Sequence, residues 1–336
     1  IAVTSVCILI FAFFSVVRHP ADDFDLLLLT SAMEPTKSVL PAGWTITVIA
    51  PTFFTDNAND DKVRYNLGLE ACRQAAKYEI PLLIVDASPS PTISKNFQQA
   101  GRTNDGRSFV HVISQTWKGK KGVALREGIH KVVHDLKEQQ PSNHPSSSSV
   151  IAFQELEKID MFRHYATLVR EMQSSKSDIV VPRRKDDLFQ QTYPIEQYHS
   201  EQFANMLLDS IARSMMGRSG MIGATAAVDD RPTIPSIDWT MGPVLFRSTV
   251  AHYWLDYREG ETWDAQLVPI VDAYVQGRCT VMSYEIDYHH PIAMKEQEQG
   301  QSMWNEKRLH QINVLTQTVG KRMKEASVGH NGKTLT

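Results

Sequence analysis

Cysteine is scarce in this sequence, and the charge is nearly balanced. The three cysteines, Cys7, Cys72 and Cys279, are odd in number and far apart, so we expect neither a disulfide framework nor a zinc ribbon. The formal net charge of −3 over 336 residues gives no whole-protein reason to expect nucleic acid as a partner. With 42% hydrophobic and 22% charged residues, the composition is that of an ordinary globular protein.

Two common nucleotide-binding signatures are also missing. A dinucleotide enzyme would show Gly-x-Gly-x-x-Gly after its first strand, whereas this chain continues from its first predicted strand, 45–50, with Pro51-Thr52-Phe53-Phe54. A P-loop is absent from the sequence as well. These absences exclude a Rossmann-type dinucleotide site and a P-loop site.

The first residues are uncharged and largely apolar. Residues 1–17 precede Arg18-His19, and seventeen residues are close to the minimum length for crossing a hydrocarbon layer of about 30 Å. We interpret 1–17 as a truncated signal anchor, with a cleaved signal peptide and a buried helix as the alternatives. Residues 18–43 then form a stem or linker.

From residue 44 the sequence alternates short apolar runs with helical segments. Strands are predicted at 45–50, 81–86, 109–114, 150–153 and 178–182. Helices of ordinary length lie between them, the last of these at 160–173. We therefore expect an α/β fold with a mostly parallel, doubly wound sheet flanked by helices. The second half is less regular, with predicted helices at 201–216, 264–276 and 301–325, a strand at 280–288, and a segment at 239–247 to which no element is assigned. We expect one domain over 44–325, with halves 44–184 and 185–325, and a frayed tail over 326–336.

A sheet of this type binds its ligand beyond the carboxyl ends of its strands. The segment Lys118-Gly119-Lys120-Lys121-Gly122 follows the third predicted strand and opens a helix. Free backbone N–H groups and the helix dipole favour a phosphate there. A solvated basic turn is the alternative.

An acidic pair follows the fourth predicted strand. Glu155 and Glu157 are two residues apart, so at a strand end their side chains project to the same side and could share one divalent cation. A Mg²⁺ or Mn²⁺ ion held there would neutralise a diphosphate leaving group. Because Lys158 follows directly, a plain surface ion pair is the alternative.

Taken in order, four segments resemble the GT-A glycosyltransferases of the family 2 type. They are Ala50-Pro51-Thr52, Ile84-Val85-Asp86-Ala87-Ser88, Gly119-Lys120-Lys121-Gly122-Val123-Ala124-Leu125-Arg126-Glu127-Gly128 and Gln154-Glu155-Leu156-Glu157. The resemblance covers 44–184 well and the remainder loosely. The Gln-Glu-x-Glu-Lys form looks closest to mannosylglycerate-synthase-like members, whereas the usual family motif has Asp rather than Glu.

The resemblance implies a GT-A fold and a set of donor-binding residues. Pro51, Thr52 and Asp86 would hold the nucleotide. Lys118, Lys121 and Arg126 would lie near the nucleotide or diphosphate, and Arg183 could face the sugar or phosphates, with surface solvation as its alternative. Glu155 and Glu157 would replace the metal-binding aspartates, and a late histidine, His289 or His290, would complete the shell of Mn²⁺ or Mg²⁺.

On the acceptor side, the resemblance points to Asp264 at the start of a predicted helix. If transfer inverts the anomeric centre, Asp264 would be the general base or an acceptor-binding carboxylate; if transfer retains it, no such base is required. The alternative role of Asp264 is a helix N-cap. Residues 241–246 would floor the acceptor site.

The implied activity is that of a glycosyltransferase of the hexosyltransferase (EC 2.4) type. It would move a sugar from a UDP- or GDP-sugar to an acceptor hydroxyl with a divalent metal. An anchor, a stem and a catalytic domain are the layout of single-pass membrane enzymes of the Golgi and secretory pathway. The alternatives are a catalytically inactive GT-A-like scaffold, which the Asp-to-Glu change favours, and a sugar nucleotidyltransferase, whose Gly-rich signature after the first strand is missing.

Overall fold

The structure is a computed structural model that describes residues 39–55, 59–117, 119–139, 148–219, 236–275 and 279–329. The chain divides into two units, Ile1–Thr36 and Lys37–Thr336, and every described residue belongs to the second. The predicted anchor at 1–17 and most of the predicted stem lie outside the described residues. Within the described ranges, no helix combines the length and apolar character needed to cross a membrane.

One sheet of seven strands forms the centre of the described chain. The strands are β1 (Thr45–Thr52), β2 (Leu82–Asp86), β3 (Val110–Ser114), β4 (Ser149–Phe153), β5 (Ile179–Arg184), β6 (Val244–Arg247) and β7 (Val281–Ile286). Their order is β3-β2-β1-β4-β6-β5-β7. Only β6 runs antiparallel to its neighbours β4 and β5, and the other pairs are parallel. The predicted mostly parallel α/β sheet is confirmed.

Helices cover both faces of this sheet. They are α1 (Asn59–Tyr78), α2 (Pro91–Ala100), α3 (Lys121–Gln139), α4 (Tyr165–Ser174), α5 (Asp186–Thr192), α6 (Ile195–Ser219), α7 (His252–Asp256), α8 (Asp264–Val275), α9 (Ile292–Glu298) and α10 (Ser302–Gly329), with two 3-10 turns at Ile159–Arg163 and Ser248–Val250. Because side chains alternate along a strand, Val48 and Ala50 of β1 join one hydrophobic cluster, whereas Ile49 joins the other. The first cluster contains residues of α1, α2 and α4, and the second contains residues of α3, α8 and α10.

Several elements of the second half differ from the sequence prediction. The segment 239–247, to which the sequence assigned no element, contains the four-residue strand β6. It begins after Gly242, whose φ is +97°, and after Pro243, which has no N–H to donate to a ladder. The short helices α5 and α9 were not predicted, and the helix predicted at 160–173 is divided into a 3-10 turn and α4. Asp160 fixes that turn by accepting hydrogen bonds from Arg163 and from the backbone N–H of His289.

Helix α3 approaches the sheet closely at one glycine. A Cβ added to Gly128 would lie 2.5 Å from Cγ2 of Ile49 and 3.1 Å from Cγ2 of Val85. Both neighbours are fully buried branched side chains on adjacent strands, so neither can move without disturbing the core. The glycine that ends the segment 119–128 is therefore explained by packing of α3 against β1 and β2.

We predict that Gly128→Ala lowers the free energy of unfolding by about 1–3 kcal/mol, because the added methyl overpacks the core. Gly320→Ala is the matched control, since Gly320 lies in α10 with no heavy atom within 4 Å of an added Cβ. The control should leave stability unchanged or raise it by up to about 1 kcal/mol through helix propensity. Urea unfolding measures both; equal effects of the two variants would contradict the packing argument.

Candidate functional site

A cavity of about 430 Å³ opens at the carboxyl edge of the parallel strands. Its walls come from the end of β1, the loop between β3 and α3, and the loop after β4. The rest of the lining comes from α1, α6, the segment before β6, the start of α8, and the helices α9 and α10. The cavity therefore lies where a doubly wound sheet is expected to bind its ligand.

The lining is unusually rich in charge. Among the described residues it includes six cationic side chains, Arg64, Lys120, Lys121, Lys158, Lys307 and Arg308, and four carboxylates, Glu155, Glu157, Glu201 and Glu298. The cations thus exceed the carboxylates by two. Because a cleft focuses the field of its lining charges, this excess favours an anionic ligand.

An ion pair joins the two loops on the sheet side of the cavity. Lys121 is the first residue of α3, and its Nζ lies 2.6 Å from Oε1 of Glu155. Burial raises the pKa of Glu155, but Lys121 and Lys158 more than offset this effect, so the pKa lies below its ordinary value. Glu155 is therefore a carboxylate at neutral pH. Its other oxygen, Oε2, is buried with no hydrogen-bond partner among the described residues.

Gly242 approaches this carboxylate from below. A Cβ at Gly242 would lie 2.4 Å from Oε2 of Glu155, and the positive φ of +97° disfavours any side chain there. Met241 and Gly242 both line the cavity. The segment predicted to floor the acceptor site thus lies against the Lys121–Glu155 pair, and its role toward an acceptor stays a prediction.

The opposite wall carries cations stacked on tryptophan. Nζ of Lys307 lies 4.4 Å from the ring centre of Trp304 and 5.8 Å from that of Trp263. The guanidinium of Arg64 lies 4.7 Å from the Trp304 ring centre. Within the described part of the chain, Lys307 has no hydrogen bond and no ion pair. Burial, and then Arg64, lower the pKa of Lys307 to about 8.

Glu298 links the remaining cations of this wall. It accepts hydrogen bonds from Arg64 at 3.4 Å and from Arg308 at 3.3 Å. Arg308 also donates to Oε1 of Gln197 at 2.9 Å. Burial raises the pKa of Glu298 above its ordinary value. These contacts fix helices α1, α9 and α10 around the cavity.

Of the residues predicted to bind the nucleotide, Pro51 and Thr52 line the cavity. Asp86 does not, because its buried carboxylate is fully engaged beside it. It accepts hydrogen bonds from Oγ1 of Thr52 at 3.0 Å, from the N–H and Oγ of Ser88 at 3.0 and 2.5 Å, and from Oγ of Ser94 at 2.9 Å. Asp86 thus organises the turn after β2, and its contact with a nucleotide stays a prediction.

Two of the other cations predicted near the donor, Arg126 and Arg183, are not among the described residues that line the cavity. Arg126 donates to the carbonyl oxygens of Tyr257 and Gly260, at 3.0 and 2.8 Å. Arg183 pairs with Glu285 on the surface at 2.6 Å. Lys118 lies outside the described residues. In the described part of 118–122, only Gly119, Lys120 and Lys121 line the cavity.

The predicted metal ligands do not meet as a set. His289 is exposed, and His290 is buried and stacked on Tyr193 with ring centres 4.0 Å apart. Burial, and then the nearby cations, lower the pKa of His290 well below its ordinary value. Glu157 has Arg64 at 4.0 Å, and Oε1 of Glu155 is already held by Lys121. Among the described residues, these side chains do not form a group of three potential ligands with their ligand atoms close together, and metal binding by them stays a prediction.

Elsewhere in the described ranges, one group of three potential ligands occurs, formed by His134, Asp135 and Glu138 on α3. His134 and Glu138 are exposed, and Lys131 pairs with Asp135 at 2.5 Å. None of these side chains lines the cavity. The group is a solvated helix surface.

Asp264 begins α8 and is nearly buried. Its Oδ1 accepts hydrogen bonds from the N–H and Oγ1 of Thr262, both at 3.0 Å, and Oδ2 accepts from the Tyr257 hydroxyl at 3.1 Å. Its neighbours Trp263 and Gln266 line the cavity, whereas Asp264 does not. All three donors precede α8, so these contacts organise the loop before the helix and are not those of an N-cap, which accepts from backbone N–H groups of its own helix. A role of Asp264 toward an acceptor stays a prediction.

Sequence reasoning missed the wall formed by α1, α9 and α10. Arg64, Glu298, Lys307 and Arg308 follow no local motif, and they meet only through packing of distant helices. One signal was present: Trp304, Lys307 and Arg308 are three and four residues apart, which places them on one helix face. An aromatic and two cations on one face indicate a site for an anionic ligand.

A buried arginine, Arg184, forms ion pairs beneath the cavity lining. Arg184 donates from Nε and Nη2 to the two oxygens of Asp238, both at 2.7 Å, and from Nη1 to Glu201 at 2.8 Å. Its guanidinium also lies 3.5 Å from the ring centre of Phe189. Bidentate geometry of this kind is specific to arginine. The neighbouring Arg183 points to the surface, as described above.

Comparison with known proteins gives only weak similarities. No family model matches the chain, and no curated protein matches it by sequence. A mycobacterial protein of known structure has a TM-score of 0.43 and 13% identity, over 76% of this chain and 71% of its own. The 4-diphosphocytidyl-2C-methyl-D-erythritol synthase from Anaerococcus prevotii has a TM-score of 0.41 and 10% identity, over 76% and 95%.

A mannosyltransferase from Pyrobaculum calidifontis, solved with GDP-Man and Mn²⁺, has a TM-score of 0.37 and 10% identity. The match covers 75% of this chain and 56% of that protein. These similarities assign no activity to this chain.

We predict opposite outcomes for the two adjacent arginines. Arg184→Gln should lower the free energy of unfolding by about 3–5 kcal/mol, because it leaves the buried carboxylate of Asp238 without its partner. Arg183→Gln should change it by less than about 1 kcal/mol, since the pair with Glu285 is half exposed. Chemical denaturation measures both variants. Equal losses would contradict the assignment of Arg184 as the buried partner.

Proposed function

We propose that the protein is a glycosyltransferase that moves a sugar from a nucleotide-sugar donor to an acceptor hydroxyl. The observation that carries this proposal is the cationic cavity at the carboxyl edge of the sheet, with Lys121 at the start of α3 facing into it. The resemblance of 119–128 to the glycine- and lysine-containing segment of the family 2 enzymes supports the same assignment. The diphosphate bridge of a nucleotide sugar is a dianion, which matches the sign of the cavity.

The sheet side of the cavity suits the nucleoside. Phe53 follows β1, is 57% exposed and lines the cavity beside Pro51 and Thr52. An exposed aromatic ring at a ligand site offers a stacking surface for a base or a sugar. The nucleoside would therefore lie near the end of β1, with its diphosphate directed toward Lys121.

The cations suit the departure of a diphosphate. Negative charge develops on the leaving group during transfer, and fixed charges placed beforehand stabilise that transition state more than they would in water. Lys121 and Lys307 approach the Trp263 ring centre to 5.7 and 5.8 Å. Both ammonium groups can thus face a diphosphate that lies along this tryptophan.

A binding protein without transfer activity is the second candidate. The observation that favours it is that the carboxylates predicted to hold the metal, Glu155 and Glu157, already have Lys121 and Arg64 as cationic neighbours. Such a protein would bind nucleoside diphosphates in the same cavity and release none from a donor. Turnover, rather than binding, separates the two candidates.

We predict that the protein releases nucleoside diphosphate from at least one member of a panel of UDP- and GDP-sugars, and that Lys121→Met lowers the rate by about tenfold or more. Lys131→Met is the matched control, because Lys131 lies on the same helix and pairs with Asp135 outside the cavity. Mass spectrometry of the products measures release and transfer. Nucleotide binding without release from any donor would identify the binding protein instead.

We also predict a pH dependence of nucleoside diphosphate binding. Lys307 faces Arg64 of α1, Lys121 of α3, Glu157 after β4 and Glu298 of α9, and its pKa of about 8 means that it is an ammonium below pH 8 and loses its charge above it. The terminal phosphate of a nucleoside diphosphate ionises near pH 6, at about the value of other phosphate monoesters. Its charge is therefore nearly constant at the higher pH values at which Lys307 loses its proton.

Affinity for UDP or GDP should therefore fall by about threefold or more between pH 7 and 9. Lys307→Met should remove this part of the dependence. Isothermal titration at both pH values measures it. An affinity that rises with pH, or an unchanged slope in Lys307→Met, would contradict the assignment.

A further inference from the structure

We propose that fixed cationic side chains alone hold the donor diphosphate in this cavity, with Lys307 of α10 as the principal phosphate-binding residue and no divalent cation taking part. This inference rests on the proposed function. It assigns to Lys307, Lys121 and Arg64 the neutralisation that the sequence had indicated for a metal at Glu155 and Glu157.

Lys307 has a partly buried ammonium group beside Trp304. Its Nζ lies over the Trp304 ring at 4.4 Å, and the described residues provide it with no hydrogen bond and no ion pair. A half-buried ammonium has three donors to satisfy, and burial without a partner is costly. Lys307 lines the cavity, so an anionic ligand bound there can approach its ammonium group. A phosphate oxygen there would complete its hydrogen bonds.

Both acids that the sequence indicated as metal ligands already have cationic neighbours. Nζ of Lys121 occupies Oε1 of Glu155 at 2.6 Å, where a metal would have to bind. The other oxygen, Oε2, is buried beside Gly242, whose lack of a Cβ leaves room for the carboxylate. Glu157 has the guanidinium of Arg64 at 4.0 Å. Both acids therefore serve as partners that position cations.

The lining of the cavity already carries an excess of positive charge. Six cationic and four carboxylate side chains among the described residues line it, so an excess of positive charge is present without a metal. A divalent cation would add two further positive charges within a few ångströms of Lys121, where repulsion in a partly buried site costs several kcal/mol. A dianionic diphosphate instead balances the excess. The electrostatics favour the diphosphate and disfavour the metal.

The experiment measures binding of UDP and GDP to the full chain by isothermal titration, in EDTA and in Mn²⁺. We expect the dissociation constant for the preferred nucleotide to differ by less than about twofold between the two conditions. Lys307→Met should weaken binding by about tenfold or more in EDTA, because a hydrogen-bonded charge is lost while the apolar stem on Trp304 is kept.

Lys321→Met is the matched control. Lys321 lies on the same helix, is exposed, pairs with Glu259 and is outside the cavity lining, so its loss changes the net charge equally and should leave affinity within about twofold. Lys307→Arg should retain more affinity than Lys307→Met. Thermal unfolding of each variant verifies that it is folded.

Three results would overturn the inference, and they can be distinguished. Nucleotide binding that appears only with Mn²⁺ and is lost in Glu155→Gln would restore the metal at the acidic pair, and it would leave the proposed function intact. No binding of UDP or GDP in either condition would remove the proposed function together with the inference. Equal affinities of Lys307→Met and Lys321→Met in EDTA would also reject Lys307 as the phosphate-binding residue.

Discussion

The ion pair between Lys121 and Glu155 connects the parts of the molecule on which the cavity depends. It joins the start of α3 to the loop after β4 at 2.6 Å, so the ends of two sheet segments are fixed relative to each other. Its carboxylate requires a glycine at 242, which in turn begins the turn into the antiparallel β6. Nζ of Lys121 also lies 5.7 Å from the Trp263 ring centre, at the start of α8. The start of α3, the loop after β4, the turn before β6 and the residue preceding α8 are thus all close to this one ion pair.

This arrangement changes the interpretation of the acidic motif. Glu-x-Glu at a strand end was expected to hold a metal, yet in the folded chain each acid has a cation beside it, Lys121 for Glu155 and Arg64 for Glu157. A glutamate has a longer side chain than an aspartate, so it can reach a lysine or arginine across the cavity. Glutamate at these two positions is therefore consistent with a site in which acids position cations and the cations contact the ligand.

The sequence predicted the first half of the sheet well, because the apolar runs at β1, β2 and β4 are buried on both faces and have few alternatives. It predicted β6 poorly, since four residues after a glycine and a proline carry little periodicity. At the site, Pro51, Thr52, Lys121, Glu155 and Glu157 do line one cavity. Their positions directly after strand ends were sufficient to predict that these residues lie close together.

Other site assignments could not come from local sequence. The serines that engage Asp86 are visible in the sequence, but their directions follow from the turn that they form. The carboxylate of Asp264 accepts hydrogen bonds from Thr262 and Tyr257. The bond from Tyr257 depends on how the loop before α8 folds back. Lys307 and Arg64 belong to helices far apart in the chain, which meet at Trp304 only through packing. A single-sequence pattern contains no signal for that meeting.

The most direct test of the central claim is a crystal structure of the full chain with UDP or GDP, grown in the presence of EDTA. We predict that the nucleotide occupies the cavity at the carboxyl edge of the sheet. Its phosphate oxygens should lie at hydrogen-bond distance, about 2.7–3.2 Å, from Nζ of Lys307 and Lys121. A nucleotide bound elsewhere on the molecule, or one whose phosphates lie away from both lysines, would contradict the account.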